Sequence, residues 1–260
     1  MFDVAAMIDT LVEWPLETVI LVDYDGSLAP IVDHPDAAVA FPGAIDALGR
    51  LVGHVARVGI VSGRTVEFLA RQVPVPDLVL AGLYGLEMVV GGDRHVSPLV
   101  AGYGAAVASA ADEADARLPG VVVERKAGLS VTLHWRMTPE QADAVVDVAA
   151  DLASRYGLAP FRTRFAVELR PPVAIDKGTA VDVMIDGCSV AAFVGDDVGD
   201  IPAFEALARA ERTGRLRRGV RVGVRSSEMP DVLPAAVEWL VDGPAGVVEF
   251  LDAVGHRLGG

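Results

Sequence analysis

Cysteine is almost missing from this chain of 260 residues: Cys188 is its single instance. No disulfide can close within the chain, and no cluster of cysteine ligands can hold zinc. Cys188 stands beside the apolar stretch Val190 to Val194, the setting of a small buried hydrophobe and not of a reactive thiol. Basic residues are also scarce. Lys and Arg number 22 against 36 Asp and Glu, a formal charge of −14 at pH 7. That balance excludes a sequence-independent nucleic-acid binder, which needs clustered cations for phosphates, and equally an anionic membrane surface. No apolar run reaches the roughly 18 residues of a transmembrane helix. The opening Met1-Phe2-Asp3-Val4 has no basic leader, and Asp9, Glu13 and Glu17 interrupt the apolar residues after it. A secretory signal is therefore not expected, and a soluble cytoplasmic monomer is. Internal repeats and low-complexity linkers are absent as well.

What is present is an ordinary globular composition, with 52% hydrophobic residues, enough to bury one elaborated core or two small ones. Short apolar runs alternate with helical spacing, the rhythm of parallel βαβ units. Thr18 to Val22, Val58 to Val61, Leu78 to Ala81, Val190 to Val194 and Val220 to Val224 read as buried strands. Ala44, Ile45, Leu48, Leu51, Val52 and Val55 follow i, i+3, i+4 spacing, as do Val66, Leu69, Ala70 and Val73. Lys177 opens another helix, Phe204 and Leu207 mark a further one, and Val247 to Val254 fit a terminal helix.

The middle of the chain differs. Leu129, Val131, Leu133 and Trp135 alternate with Ser130, Thr132, His134 and Arg136, and Phe165, Val167 and Leu169 alternate with Glu168 and Arg170. Alternation predicts a sheet with one packed and one polar face, antiparallel or mixed. Two helical patterns, one from Val107 to Leu118 and one from Ala142 to Leu152, accompany it. The expected fold class is α/β: a Rossmann-like parallel-sheet core over 1–102 and 173–260, with an α+β module inserted over 103–172.

Three strand ends carry chemistry-bearing residues, and ligands of open parallel sheets lie outside strand carboxyl ends. Asp23-Tyr24-Asp25-Gly26-Ser27 offers two carboxylates across a tight turn. One suits a nucleophile and the other a general acid and base; an ordinary turn also favours Asp and Gly. Gly195-Asp196-Asp197-Val198-Gly199-Asp200 puts three carboxylates within five residues. They repel one another unless a cation such as Mg²⁺ lies among them; the alternative is an acidic turn with Asp200 capping the next helix. Ser62-Gly63-Arg64 offers a hydroxyl and backbone N–H groups before a helix, a phosphate cradle or a plain helix cap. Lys177, between Asp176 and Gly178, is a phosphate-holding cation or a surface lysine.

The order Asp-x-Asp, Ser, Lys, Asp-Asp resembles the haloacid dehalogenase superfamily of phosphotransferases, and the insertion between Ser62 and Lys177 resembles its type-C2 caps. A narrower resemblance rests on Leu80-Ala81-Gly82-Leu83-Tyr84-Gly85-Leu86-Glu87, Val123-Glu124-Arg125-Lys126, Leu133-His134-Trp135-Arg136 and Val167-Glu168-Leu169-Arg170-Pro171-Pro172. Together they look like the trehalose-6-phosphate phosphatases. The resemblance implies a haloacid dehalogenase-like core with a specificity cap, and Mg²⁺-dependent hydrolysis of trehalose 6-phosphate. It implies Asp23 as nucleophile and Asp25 as general acid/base. Ser62, Gly63 and Lys177 would hold the phosphoryl group. Asp23, the Asp25 carbonyl and Asp196 would bind the metal, with Asp200 in support. Arg64, Glu124, Lys126 and Glu168 would meet the sugar phosphate. The chain departs from the family where Gly199-Asp200-Ile201 replaces the common Thr-Asp-Glu, and where Tyr84 replaces a common His.

The residues themselves agree with the cap assignment. Glu124 and Lys126, two apart, share a strand face, and a charged sheet face suits a polyhydroxylated disaccharide; a solvated polar surface is the plainer reading. His95 and His134 lack metal-ligand spacing and read as structural or surface residues. Other readings are a phosphatase for sucrose 6-phosphate or mannosyl-3-phosphoglycerate, a phospho-accepting signalling receiver, and a silent sugar-phosphate sensor. The second carboxylate at Asp25, the late acidic cluster and the insertion all speak against a receiver. Asp23, Asp25, Asp196, Asp197 and Asp200 are together expected to converge on one rim.

Overall fold

The computed structural model describes residues 4–32, 34, 37–163 and 165–259. Met1, Phe2 and Asp3, on which the expectation of no secretory signal partly rests, lie outside the described residues. Helix α1 (Val4–Glu13) leads into β1 (Thr18–Val22), buried along its whole length. A strand covered on both faces needs such a continuous apolar run. Helix α2 (Ala44–Leu51) buries Ala44, Ala47, Leu48 and Leu51 at helical spacing. Strand β2 (Arg57–Val61), α3 (Val66–Gln72) and β3 (Val79–Gly82) come next. Thr65 caps α3, its hydroxyl accepting from the Phe68 N–H at 3.2 Å. Strands β4 (Glu87–Val90) and β5 (Asp93–Val96) are joined by Gly91-Gly92, whose φ angles of 59° and 87° suit a two-residue hairpin turn.

Then come α4 (Gly104–Arg117), β6 (Val122–Lys126), β7 (Ser130–His134), α5 (Ala142–Tyr156), β8 (Ala159–Arg162) and β9 (Ala166–Arg170). The last part holds α6 (Lys177–Met184), β10 (Val190–Gly195), α7 (Ile201–Arg212), β11 (Arg218–Arg225), α8 (Leu233–Ala236), β12 (Trp239–Asp242) and α9 (Gly243–Gly259). Contacts divide the chain into two units. One takes in 4–32, Ala38–His95 and 175–259, and the other centres on Val96–Ala174.

The first unit is built on a sheet in the order β12-β11-β10-β1-β2-β3-β4-β5. Pairing is parallel from β12 through β3, and β4 joins β3 antiparallel. Alternation of β1 side chains serves two cores. Ile20 and Val22 pack with Leu11, Leu48, Leu69 and Phe250, whereas Val19 and Leu21 pack with Val181, Met184, Phe193 and Phe204. Helices thus cover both faces of the parallel sheet. Strand β1 lies between β10 and β2, so the chain leaves it in one direction and returns on the other side. Such a switch point opens a crevice at the strand carboxyl ends. Cys188 is half-buried against the second of these cores, less enclosed than its apolar neighbourhood in sequence suggests.

The second unit is an antiparallel sheet in the order β6-β7-β9-β8. Val131, Leu133, Val167 and Leu169 pack on Val107, Ala114, Val145 and Leu152 of α4 and α5. Register pairs Glu124 with Thr132 and Thr132 with Glu168, aligning all three on the opposite face. No helix among the described residues is long and apolar enough to cross a membrane. Strands β5 and β12 had no counterpart in the sequence patterns: each is four residues at a sheet edge, and β5 is exposed throughout. Leu169 is fully buried, so Leu169→Ala is expected to cost about 2–5 kcal/mol of stability. Urea unfolding measures this, and an unchanged midpoint contradicts the packing described for this sheet.

Candidate active site

Asp23 comes directly after the last residue of β1, and its N–H donates to the Val194 carbonyl of β10 at 2.8 Å. The pairing thus runs one residue past the strand and fixes this carboxylate at the switch point. The chain then turns sharply, with the Gly26 N–H donating to the Ala29 carbonyl at 2.8 Å. Gly26 has φ +83°, and a Cβ there would stand 2.1 Å from Asp196 Oδ2. Only glycine lets this turn close onto Asp196. Tyr24 anchors the turn from below, fully buried, with its ring edge-on to Phe68 and its hydroxyl donating to the Ala38 carbonyl.

Asp176 caps α6 through a reciprocal pair of hydrogen bonds with Thr179. That cap sets Lys177 at the first helical position, where its side chain is only 4% exposed. Its Nζ stands 2.7 Å from Asp23 Oδ1 and 2.6 Å from Asp200 Oδ1. The surface-lysine alternative is thereby overturned. Asp200 Oδ2 accepts from the N–H groups of Asp196 and Asp197 at 2.9 and 3.1 Å. Asp200 occupies the cap position of α7 without making a side-chain cap bond to it, so its carboxylate serves the cluster and not the helix.

One carboxylate oxygen from each of Asp23, Asp196 and Asp200 lies within 4.8 Å of the others, all three residues being buried. Asp196 Oδ1 is buried without a hydrogen-bond partner, a costly state for such a group. Burial pushes the Asp196 carboxyl up to about 10, with the Asp23, Asp200 and Asp197 charges adding to it. Burial likewise raises Asp200 to about 6 against the pull of Lys177, and holds Asp23 well above its ordinary range. Burial opposes the Lys177 charge, yet Asp200, Asp23 and Asp197 outweigh it and keep the ammonium protonated. One ammonium cannot neutralise three buried carboxylates. The hard oxygen donors and the orphaned Asp196 oxygen fit a small divalent cation.

Asp25 belongs to a different arrangement. Its two oxygens accept from Arg64 Nε and Nη2, both at 2.7 Å, and the Arg64 guanidinium lies over the Phe68 ring at 4.6 Å. Ser62 is buried, and its hydroxyl accepts from the Arg64 N–H at 3.2 Å. It is not the cap of α3, a role that Thr65 fills. In the second unit, Lys126 Nζ stands 3.9 Å from Glu124 Oε2 and 3.7 Å from Glu168 Oε1. These are electrostatic separations, too long for hydrogen bonds. Ser130 donates to Glu168 at 2.5 Å, and a His134 ring nitrogen is 2.9 Å from Glu124. Glu168 and Lys126 are buried, so this face is not the solvated surface that the plainer reading expected.

A family model described as trehalose-phosphatase matches residues 21–233. The chain belongs to the trehalose-phosphatase family. The trehalose-phosphate phosphatase of Mycobacterium tuberculosis is 32% identical over 250 residues, covering 91% of this chain and 61% of that protein. That of Mycobacterium avium is 33% identical over 248 residues with the same coverage. The chain therefore spans about three fifths of the length of these curated relatives. Among solved structures, the C-terminal domain of Candida albicans trehalose-6-phosphate phosphatase aligns with TM-score 0.77 and 20% identity, covering 98% of this chain and 97% of that one. A haloacid dehalogenase-like hydrolase from Bacteroides thetaiotaomicron aligns with TM-score 0.67 and 14% identity, covering 91% of this chain and 99% of that one. These likenesses show a haloacid dehalogenase-like fold, as expected from the order of the motifs.

In this member of the family, Asp23, Lys177, Asp196 and Asp200 come together, and Glu124, Lys126 and Glu168 form a second group. The Asp25 carboxylate is apart from the acidic cluster, and Arg64 holds Asp25. Asp197, expected on the same rim, is exposed and accepts from the Gly199 N–H at 2.7 Å. His134, read as structural or surface, pairs with Glu124; its place two residues from Thr132 on the polar side of β7 was the available signal. Aspartate in an unfolded chain titrates near 4, so with Asp196 at about 10 the folded protein binds more protons between those values. Stability must then fall as pH rises through that window, while Lys177 stays charged and adds no slope there. In chelator, the melting temperature is expected to decline from about pH 6 to about pH 9, and Asp196→Asn to flatten the decline. A melting temperature that rises over this range contradicts the assignment.

Proposed function

We propose that this chain hydrolyses trehalose 6-phosphate to trehalose and phosphate, with Mg²⁺, through a phosphoryl group carried on Asp23. The observation that carries the reading is the Asp23 carboxylate, fixed at the switch point and held by a buried lysine within an acidic cluster. Family membership favours a trehalose phosphate as the ester. Asp23, Asp196 and Asp200, together with the Asp25 carbonyl, would hold Mg²⁺, which would supply charge compensation for the incoming phosphate.

Asp23 attacks phosphorus, forming an O–P bond as the bond to the sugar oxygen breaks. Asp25 donates its proton to that departing oxygen, then takes one from the water that attacks the aspartyl phosphate. Release of phosphate restores Asp23. Lys177, the Ser62 hydroxyl and the Gly63 backbone offset charge on the phosphoryl oxygens, a contribution that is usually large. Both Asp25 oxygens are engaged by Arg64, so Asp25 must give up at least one of those bonds to serve as the acid. The donor so released on Arg64 would serve a phosphate or sugar oxygen. Glu124, Lys126 and Glu168 suit sugar hydroxyls, because carboxylates accept and the ammonium donates.

Phosphate release from a panel of sugar phosphates, including sucrose 6-phosphate and mannosyl-3-phosphoglycerate, tests this. Trehalose 6-phosphate is expected to be turned over best, only with Mg²⁺, and not at all by folded Asp23→Asn. Glu168→Ala is expected to lose at least about tenfold on trehalose 6-phosphate, the scale of one charge-assisted hydrogen bond, and much less on a small aryl phosphate. Preference for another sugar phosphate, or a folded Asp23→Asn that remains active, overturns the reading.

A further inference from the structure

We infer that Arg94 and Glu87, on the β4–β5 hairpin, act as a positioning strut for the loop Ser62–Arg64, so that this edge hairpin sets the phosphate-holding geometry without reaching the reacting atoms. The inference rests on the reading of Ser62 and Gly63 as phosphate holders.

Glu87 opens β4, and its carboxylate is fully enclosed, at 0% exposure. A buried carboxylate persists only where its oxygens are bonded, and the partners of Glu87 define what it does. Its Oε1 accepts from the Val66 N–H at 3.0 Å. Val66 is the first residue of α3, and its N–H has no acceptor within the helix. Its Oε2 accepts from Arg94 Nε at 2.9 Å and Nη2 at 2.5 Å. The carboxylate thus stands at the positive end of α3, anchored from outside by a guanidinium and ending on the residue two beyond Arg64.

Backbone bonds tie the same two segments together. The Ser62 N–H donates to the Ala81 carbonyl, the Leu83 N–H to the Arg64 carbonyl and the Tyr84 N–H to the Ser62 carbonyl, at 2.8–2.9 Å. Leu83 and Tyr84 hold φ angles of 51° and 62°, conformations that side-chain-bearing residues keep only when their surroundings hold them. A Cβ at Gly63 would stand 2.7 Å from the Tyr84 hydroxyl oxygen, so the tyrosine lies directly against the loop. Ser62 and Arg64 are therefore placed from the side of residues 81–87, with Glu87 gripping the far end of the loop at Val66. Because Arg64 in turn holds both oxygens of Asp25, an error in this loop displaces the general acid as well.

The contrast with Arg50 isolates the effect. Arg50 and Arg94 are about equally exposed, at 49% and 51%, and each pairs with one carboxylate. The Asp252 partner of Arg50 is 30% exposed, and a pair of that kind contributes little. The Glu87 partner of Arg94 is enclosed, so removing the guanidinium leaves a buried carboxylate short of partners. Turning toward water then releases the Val66 N–H.

The test compares wild type, Arg94→Met, Arg94→Lys and Arg50→Met in two assays: hydrolysis of trehalose 6-phosphate with Mg²⁺, and inhibition by inorganic phosphate. Arg94→Met is expected to lower kcat/KM about tenfold to a hundredfold, the scale of a small misplacement at a reacting centre, and to weaken phosphate inhibition in parallel. Arg94→Lys recovers part of the loss, because an ammonium pairs with Glu87 but lacks the two-pronged fork. Arg50→Met leaves both readouts at wild-type values. Should Arg94→Met fail to fold, Glu87→Gln, which keeps an acceptor for Val66, is expected to move the same two readouts by a smaller factor. A folded Arg94→Met, or a folded Glu87→Gln, with wild-type kcat/KM and phosphate inhibition overturns the strut, whatever happens to its melting temperature. A wild type that neither turns over any sugar phosphate nor binds phosphate overturns the functional reading itself, and the strut with it.

Discussion

Lys177 presents one buried ammonium to two buried carboxylates, Asp23 and Asp200, and a third carboxylate, Asp196, stands beside them with an oxygen that nothing satisfies. Charges removed from water are tolerated only when paired and hydrogen-bonded, so the surrounding architecture is shaped by bringing these groups together. The β1–β10 pairing sets Asp23 beside the end of β10, the capping box of Asp176 aims Lys177 from α6, and the turn at Gly26 closes over Asp196. Helices α6 and α7 approach so closely that a Cβ at Gly178 would stand 2.5 Å from the Pro202 carbonyl oxygen. That approach carries Lys177 to Asp200. The cluster still falls one divalent cation short of neutrality, and its three carboxylate oxygens lie close enough together to hold one.

The same economy of pairing recurs at the other polar groups. Asp25 is matched with Arg64, Glu124 with His134, and Glu168 with Ser130 at bonding distance and Lys126 at longer range. Each of these carboxylates is matched by a donor of its own. For Asp25 this bears on the role proposed for it: a carboxylate bonded by two prongs of a guanidinium is kept in the accepting state, and service as a general acid would require that grip to loosen. The first unit thus holds Asp23 in a buried cluster and Asp25, two residues later, in a partly exposed ion pair.

Much of this was legible along the chain, for identifiable reasons. Strand β1 and the end of β10 are continuous apolar runs that stop at aspartates, and a buried parallel strand leaves that mark in sequence. The alternation around Val131 and Val167 announced the antiparallel sheet in the same way. Burial of Lys177 left no such mark, since a lysine at a helix start looks the same in solvent or in a core until the neighbouring helix is placed. Asp196, Asp197 and Asp200 look alike in sequence, yet the backbone turn sends Asp197 outward to the Gly199 N–H. The Arg64–Asp25 pair joins residues 39 positions apart, and the Arg94–Glu87 pair crosses a hairpin whose second strand has no apolar pattern. Contacts of that kind depend on tertiary register, and no local spacing encodes them.

The central claim is that the Asp23–Asp196–Asp200 cluster, with Lys177 against three carboxylates, lacks the two positive charges that one divalent cation would provide. Titration calorimetry with Mg²⁺ alone measures this without reference to any substrate. Wild type is expected to bind Mg²⁺ at a single site, and Asp196→Asn, with its charge removed and its fold intact, to show no binding at the same concentrations. A wild type that takes up no Mg²⁺, or an Asp196→Asn variant that binds it as tightly as wild type, contradicts the account.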